Sequence, residues 1–117
     1  MKGSILVVDD DLTMRSFLLE ALSELGFEVN SASDGAEAIE KLKQHRYQLI
    51  ITDLLMPGVN GYELIKWIRE NNLMVPIIVM SGEGEIDKAD SYDLMKFIKK
   101  PFTLTELNSI INSFFKD

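Results

Sequence analysis

The stretch Ile5-Leu6-Val7-Val8-Asp9-Asp10-Asp11 decides how the rest of the chain is read. Four consecutive aliphatic side chains leave no polar face, as expected of a strand covered on both sides, and such strands belong to parallel sheets wrapped by helices. The acids that follow end the run at a turn. From Thr13 to Leu25 the apolar residues Met14, Leu18, Ala21, Leu22 and Leu25 recur at helical spacing, giving one face to bury. Gly26 follows as a C-terminal stop.

The same rhythm of a short apolar run followed by a helical pattern repeats along the chain. Glu28 to Ala32 precedes Ala36 to Lys43, and Gln48 to Thr52 precedes Tyr62 to Glu70. Val75 to Met80 precedes a shorter, polar helix candidate near Ile86 to Leu94, and Lys96 to Lys99 precedes Leu104 to Lys116. Asp34 with Glu37, and Thr103 with Glu106, have capping-box spacing at helix starts. Strands alternating with helices predict an α/β fold, a doubly wound and mostly parallel sheet with helices on both faces. No linker or repeat interrupts residues 1–117, so a single domain is expected.

Composition narrows the function. The 117 residues carry 46% apolar and 26% charged side chains, no cysteine and a net charge of −7. The surface scaling of folded chains gives roughly 6,500 Å² exposed out of about 19,000 Å² unfolded, enough burial for a core without disulfides. Apolar runs such as Val75 to Met80 fall far short of the ~20 residues that cross a bilayer. The aspartates come too early for a signal peptide, so a cytoplasmic location is expected. The acidic balance argues against direct binding of nucleic acid.

In a doubly wound sheet, chemistry gathers beyond the carboxyl ends of the strands. The residues expected there are Asp9, Asp10 and Asp11 after the first strand, Asp53 after the third, Ser81 after the fourth and Lys100 after the fifth. Two carboxylates about 4 Å apart repel by roughly 4 kcal/mol at an effective dielectric near 20. Lys100 alone cannot balance three. An all-oxygen set without His or Cys favours a hard cation, and a small open site suits Mg²⁺. Such a site accepts a phosphoryl group, with a carboxylate as nucleophile and Lys100 and the Ser81 hydroxyl on the transferring oxygens. Asp11 alone reads as a helix cap.

Three segments resemble the receiver domain of two-component response regulators. They are Leu6-Val7-Val8-Asp9-Asp10, then Ile51-Thr52-Asp53-Leu54-Leu55-Met56-Pro57 followed by Gly61, and Lys100-Pro101-Phe102. The resemblance implies a five-stranded sheet in flavodoxin-like order 2-1-3-4-5. It implies that Asp53 takes a phosphoryl group from a histidine kinase or phosphotransfer protein. Asp10, Asp53 and the backbone carbonyl of Leu55 would ligate Mg²⁺, with Asp9 acting through water. Ser81 would bond the phosphoryl group and Lys100 would pair with it. Ser81 and Phe97 would form a switch that alters the face of the fourth helix, fifth strand and fifth helix for a downstream effector. Phe97 also reads as packing at a sheet edge. A cis Lys100–Pro101 bond is implied, as is a chain that catalyses only its own phosphorylation and dephosphorylation.

The chain departs from the family between Ser81 and Lys100, where Ile86 to Asp93 is poor in apolar helix-face residues, and a short fourth helix is expected. Glu83 and Leu55, close to the acceptor, are candidates for tuning the phosphate's lifetime. Two other readings stand beside the switch. Asp9-Asp10-Asp11-Leu12-Thr13 also resembles the first motif of haloacid dehalogenase phosphatases, with Asp9 as nucleophile and Asp11 as general acid, but only 17 residues follow Lys100 to carry that family's last acidic motif. A receiver fold that binds a partner without phosphorylation would have no need of the repelling acids. His45 reads as a helix-end base, Trp67 as packing and the methionines as core filler.

Overall fold

The computed structural model describes residues 3–56, 58–82 and 94–115. The helix expected near Ile86, and Glu83, fall on residues 83–93 and lie outside the described residues. The elements run β1 (Ser4–Val8), α1 (Leu12–Glu24), β2 (Glu28–Ala32), α2 (Gly35–Gln44), β3 (Leu49–Asp53), α3 (Gly61–Glu70), β4 (Ile77–Ser81), β5 (Met95–Lys99) and α4 (Leu104–Phe114).

All five strands pair in parallel in the order β2-β1-β3-β4-β5, as the resemblance implied. Alternate side chains of the central strands feed two cores. Ile5, Val7, Leu49, Ile51 and Ile78 pack with Leu18 and Leu22 of α1 and Leu107 and Ile111 of α4. Leu6, Val8, Ile50, Ile77 and Val79 pack on the other face with Ala38 of α2 and Leu64, Ile65 and Ile68 of α3. The sheet is thus covered on both faces. The total exposed surface is 6578 Å², close to the scaling value.

Helix ends follow local chemistry. Asp11 caps α1 by accepting the Thr13 N–H at 2.9 Å. Beyond the other end, Gly26 adopts φ +101°, its N–H donates to the Ser23 carbonyl, and the Phe27 N–H reaches back to the Leu22 carbonyl. This is a Schellman stop that glycine enters without a Cβ clash. Thr103 and Glu106 form the expected capping box, and Asn60 with Glu63 forms another that the sequence reading did not pick out. The Asp34 and Glu37 pair is half of one. Asp34 accepts the Glu37 N–H, while the Glu37 carboxylate turns to the N–H and hydroxyl of Ser33.

Two expectations shift by a rung. Asp53 and Ser81 are the last residues of β3 and β4 rather than the first beyond them, because the ladder continues through Asp53↔Met80 and Ser81↔Lys99. The last helix stops at Phe114, short of Lys116.

Candidate functional site: an acidic pocket at the carboxyl ends of the strands

Register builds the site. The last pairs of β1 with its neighbours β2 and β3 are Val8↔Ala32 and Val8↔Thr52, so one step further along β1 and β3 stand Asp9 and Asp53 side by side. One carboxylate oxygen each from Asp9, Asp10 and Asp53 lies within 4.8 Å of the other two. On the far side of β3, Ser81 ends β4 and Lys100 follows β5, with the Lys100 N–H donating to the Ser81 carbonyl at 2.8 Å. The Lys100–Pro101 peptide is cis.

The Lys100 ammonium bridges two of the acids. Its Nζ donates to Asp9 Oδ2 at 3.3 Å and to Asp53 Oδ2 at 3.2 Å. Asp9 is fully buried, and its Oδ1 accepts the Asp11 N–H at 2.9 Å. Burial pushes the Asp9 carboxyl above its ordinary value, and the nearby Asp53 charge pushes the same way. The Asp11 N–H and Lys100 oppose that shift without cancelling it. For Lys100, burial disfavours the charge, but the attraction and hydrogen bonds of Asp53 and Asp9 outweigh it and hold the ammonium's pKa above the usual lysine value.

Asp53 is held from its backbone side. The Leu54 N–H donates to its Oδ1 at 2.8 Å, and the fully buried Thr52 hydroxyl donates to its carbonyl at 2.8 Å. Gly61 starts α3 against that same carbonyl, and its N–H donates to the Leu54 carbonyl at 2.8 Å. A Cβ at position 61 would overlap the Asp53 carbonyl oxygen and sit 2.7 Å from the Leu54 Cα. The Ser81 hydroxyl is buried and has no hydrogen-bond partner among the described residues. A buried polar group left unpaired costs about 1–3 kcal/mol, so this hydroxyl stands ready for an acceptor.

The other expected residues divide. Asp10 is exposed and belongs to the carboxylate group. Leu55 is 57% exposed two residues past Asp53, and its carbonyl accepts no hydrogen bond among the described residues. Phe97 is half-buried on the edge strand β5, across from Val79, and packs on the core beside α2 and α3. Asp11 is occupied as a helix cap. His45 is the C-terminal cap residue of α2 and faces the Tyr47 ring. A groove between His45, Tyr47, Met74 and Phe115 lies at the opposite end of the sheet, away from these groups.

The donor chemistry fits a hard divalent ion. All three donors are carboxylate oxygens, the ligand type that Mg²⁺ takes, and they lie within 4.8 Å of one another.

Sequence reasoning missed Arg15, and it quoted Thr52 and Gly61 only within the Asp53 segment without giving either a role. Arg15 Nη1 donates to the Asp9 backbone carbonyl at 2.8 Å. A cation at i, with Leu18 at i+3 and Leu22 at i+7, on the stripe that faces the core is the signal that marks it.

Comparison with known proteins places the chain in a family. Residues 5–112 match the family model of the response regulator receiver domain. The protein described as probable transcriptional regulator ycf29 of Pyropia yezoensis is 35% identical over 118 residues, 97% of this chain and 53% of that protein. The chain likewise spans only part of other curated relatives, 9% of a sensor protein, EvgS, of Escherichia coli and 57% of a transcriptional regulatory protein, CrdR, of Helicobacter pylori. A solved CheY-like receiver domain from Methanospirillum hungatei superposes with TM-score 0.86 at 27% identity, covering 98% of this chain and 95% of that one. The response regulator TrrA of Thermotoga maritima gives TM-score 0.84 at 32% identity, covering 95% and 97%. The chain belongs to the family of response regulator receiver domains of two-component systems.

Proposed function

We propose that Asp53 is the phosphoacceptor of this receiver and that the carboxylates of Asp10 and Asp53, with the Leu55 carbonyl and a water held by Asp9, bind Mg²⁺. The observation that carries the reading is the convergence of three carboxylates on one point with a single ammonium bridging two of them. Exposure distinguishes the acids. The Asp53 side chain is 14% exposed and reachable, while that of Asp9 is closed off. The TrrA relative was solved in complex with Mg²⁺-BeF, and the same kind of pairing is what we propose here.

An Asp53 oxygen attacks the phosphorus of a phosphohistidine on a sensor kinase or phosphotransfer protein. The P–N bond breaks as the P–O bond forms, and the imidazole takes up a proton. Bound Mg²⁺ would neutralise charge on the acids and the phosphoryl oxygens. Lys100 exchanges its contact with Asp53 Oδ2 for a phosphoryl oxygen, staying close to Asp9. The Ser81 hydroxyl gains the acceptor it lacks. Its movement gives Phe97 room to repack, altering the face that β5 and α4 present to an effector.

On this reading residues 1–117 form one receiver unit in the cytoplasm, a switch that catalyses only its own phosphorylation and dephosphorylation. No described helix is long and apolar enough to cross a membrane. The phosphatase alternative has less support, because Asp11 is engaged with the Thr13 N–H and Asp9 is buried.

The test is incubation with Mg²⁺ and acetyl phosphate, mapping the adduct by mass spectrometry. An adduct at Asp53, absent from Asp53→Asn, is expected. Turnover of phosphate monoesters that depends on Asp9, without an Asp53 adduct, would overturn the reading.

A further inference from the structure

Arg15 occupies a position on α1 where an apolar side chain would be expected. It shares a stripe with Leu18 and Leu22, which are fully buried, yet it is only half-buried itself and its guanidinium reaches the turn after β1. There Nη1 donates to the carbonyl oxygen of Asp9 at 2.8 Å. On the other side of the same residue the Asp9 N–H donates to the Ala32 carbonyl at 3.1 Å. The Arg15 charge also reaches Glu37 in the first turn of α2. The side chain thus ties α1 to the end of β1, close to α2.

The Asp9 carbonyl belongs to the peptide that joins Asp9 to Asp10. That unit is planar, so holding its oxygen also fixes the plane from which the Asp10 chain departs. The Asp10 carboxylate is exposed, and no donor among the described residues holds it. Its aim therefore comes from the backbone that carries it. Asp9 differs, because the Asp11 N–H and Lys100 fix its carboxylate directly.

We infer that Arg15 is a positioning residue: by clamping the Asp9–Asp10 peptide it directs the Asp10 carboxylate into the shared site and tightens binding of a divalent cation there. The inference rests on the proposed cation-binding reading of the acids. It makes a prediction opposite in sign to simple electrostatics. Removing a positive charge beside three carboxylates should strengthen cation binding if charge is all that Arg15 contributes. Loss of the clamp should weaken it, and outer partners that orient a ligand are worth roughly 10–100-fold in metal affinity. With the relieved repulsion opposing the loss, a rise in Kd of about three- to ten-fold is expected.

The experiment is a calorimetric titration of the parent protein, Arg15→Leu and Arg15→Lys with MgCl₂ alone, with urea unfolding to confirm that each variant is folded. Arg15→Leu should raise the Mg²⁺ Kd by that factor. Arg15→Lys, which keeps a donor for the carbonyl, should return within about two-fold of the parent. A Kd for Arg15→Leu equal to or lower than the parent's, or an Arg15→Lys as weak as Arg15→Leu, overturns the inference. If Arg15→Leu fails to fold, Arg15→Met, which also lacks a donor, takes its place under the same criteria. A parent protein that binds no Mg²⁺ would instead refute the reading of the acids as a cation site.

Discussion

Gly61→Ala tests whether the close approach of α3 to β3 positions the acceptor. The added methyl would overlap the Asp53 carbonyl oxygen and stand 2.7 Å from the Leu54 Cα and 3.0 Å from the Asp53 carbonyl carbon. Carbon atoms in contact prefer about 3.5–4.0 Å, so α3 and the end of β3 must part by roughly 1 Å. All the atoms met are backbone, which cannot swing aside as a side chain would. Overpacking of this kind costs about 1–3 kcal/mol, and the lower chain entropy of alanine returns up to about 1 kcal/mol, leaving a net loss near 1–2 kcal/mol. For a domain of this size that is a fall in Tm of about 4–8 °C. The shift falls on the residue proposed to attack, and a misplacement near 1 Å can cost about 100-fold in rate, so phosphorylation by acetyl phosphate should slow by roughly ten- to a hundred-fold. Gly58→Ala is the control. Gly58 has φ +72° but open space around a Cβ, so alanine there should cost stability through backbone strain alone and leave the rate unchanged. Intact-mass kinetics below the lower Tm, with thermal melts of both variants, make the measurement. A Gly61→Ala protein phosphorylated at the parental rate would refute the reasoning, whatever its Tm.

Other perturbations separate stability from chemistry at the same site. Asp9→Asn removes a buried charge that faces Asp53, so the metal-free protein should melt higher than the parent while losing most of its Mg²⁺-dependent rise in Tm; a lower metal-free Tm would contradict the repulsion. Ser81→Ala deletes a buried hydroxyl with no described partner, so thermal melts should show a gain of up to about 1 kcal/mol, while mass spectrometry shows less phosphorylated protein accumulating. Glu37 bonds with the Ser33 N–H and hydroxyl, which hold its carboxyl below the ordinary value of 4.5. A depressed folded pKa contributes stability above the unfolded pKa and loses it as pH falls through the folded value. Urea titrations of parent and Glu37→Gln should therefore differ slightly at pH 7, by less than about 1 kcal/mol for so exposed a group, and converge in acid. A gap that persists unchanged below pH 3 would assign the difference to shape and not to charge.

The parts legible in the sequence share a physical cause. Ile5 to Val8 could be read as a strand buried on both faces because no polar side chain interrupts it, and its acids could be placed at the site because strand ends in such sheets converge. Gly26, Thr103 and Glu106 act within a few residues of themselves, so local rules located them. What escaped depends on contacts between segments far apart in the chain. Arg15 reaches a carbonyl on another element, and Gly61 is needed because α3 begins against Asp53. The ends of β3 and β4 moved by one residue because a parallel neighbour pairs with Asp53 and Ser81, and pairing partners are not visible in either strand alone. Phe97 has a half-buried place on the edge strand that both packing and switching require, so the two roles are compatible.

Two kinds of unsatisfied group meet at the pocket. Three carboxylates converge with one ammonium that bridges two of them, and beside them a buried hydroxyl lacks an acceptor among the described residues. Each feature opposes stability, yet the site sits on the most buried strands of the sheet, where two cores resist relaxation. Rearrangement could relieve either feature only by breaking the ladder that brings Asp9 beside Asp53 or Ser81 beside Lys100. The fold therefore keeps the excess negative charge and the open hydroxyl together. On the proposed reading a divalent cation relieves the first, and a phosphoryl group supplies the acceptor for the second. A species that binds only the folded state stabilises it by RT ln(1 + [L]/Kd), about 2.7 kcal/mol at a hundred times Kd. On the proposed reading, the same arrangement that weakens the empty domain couples cation and phosphoryl binding to its folded, switched form.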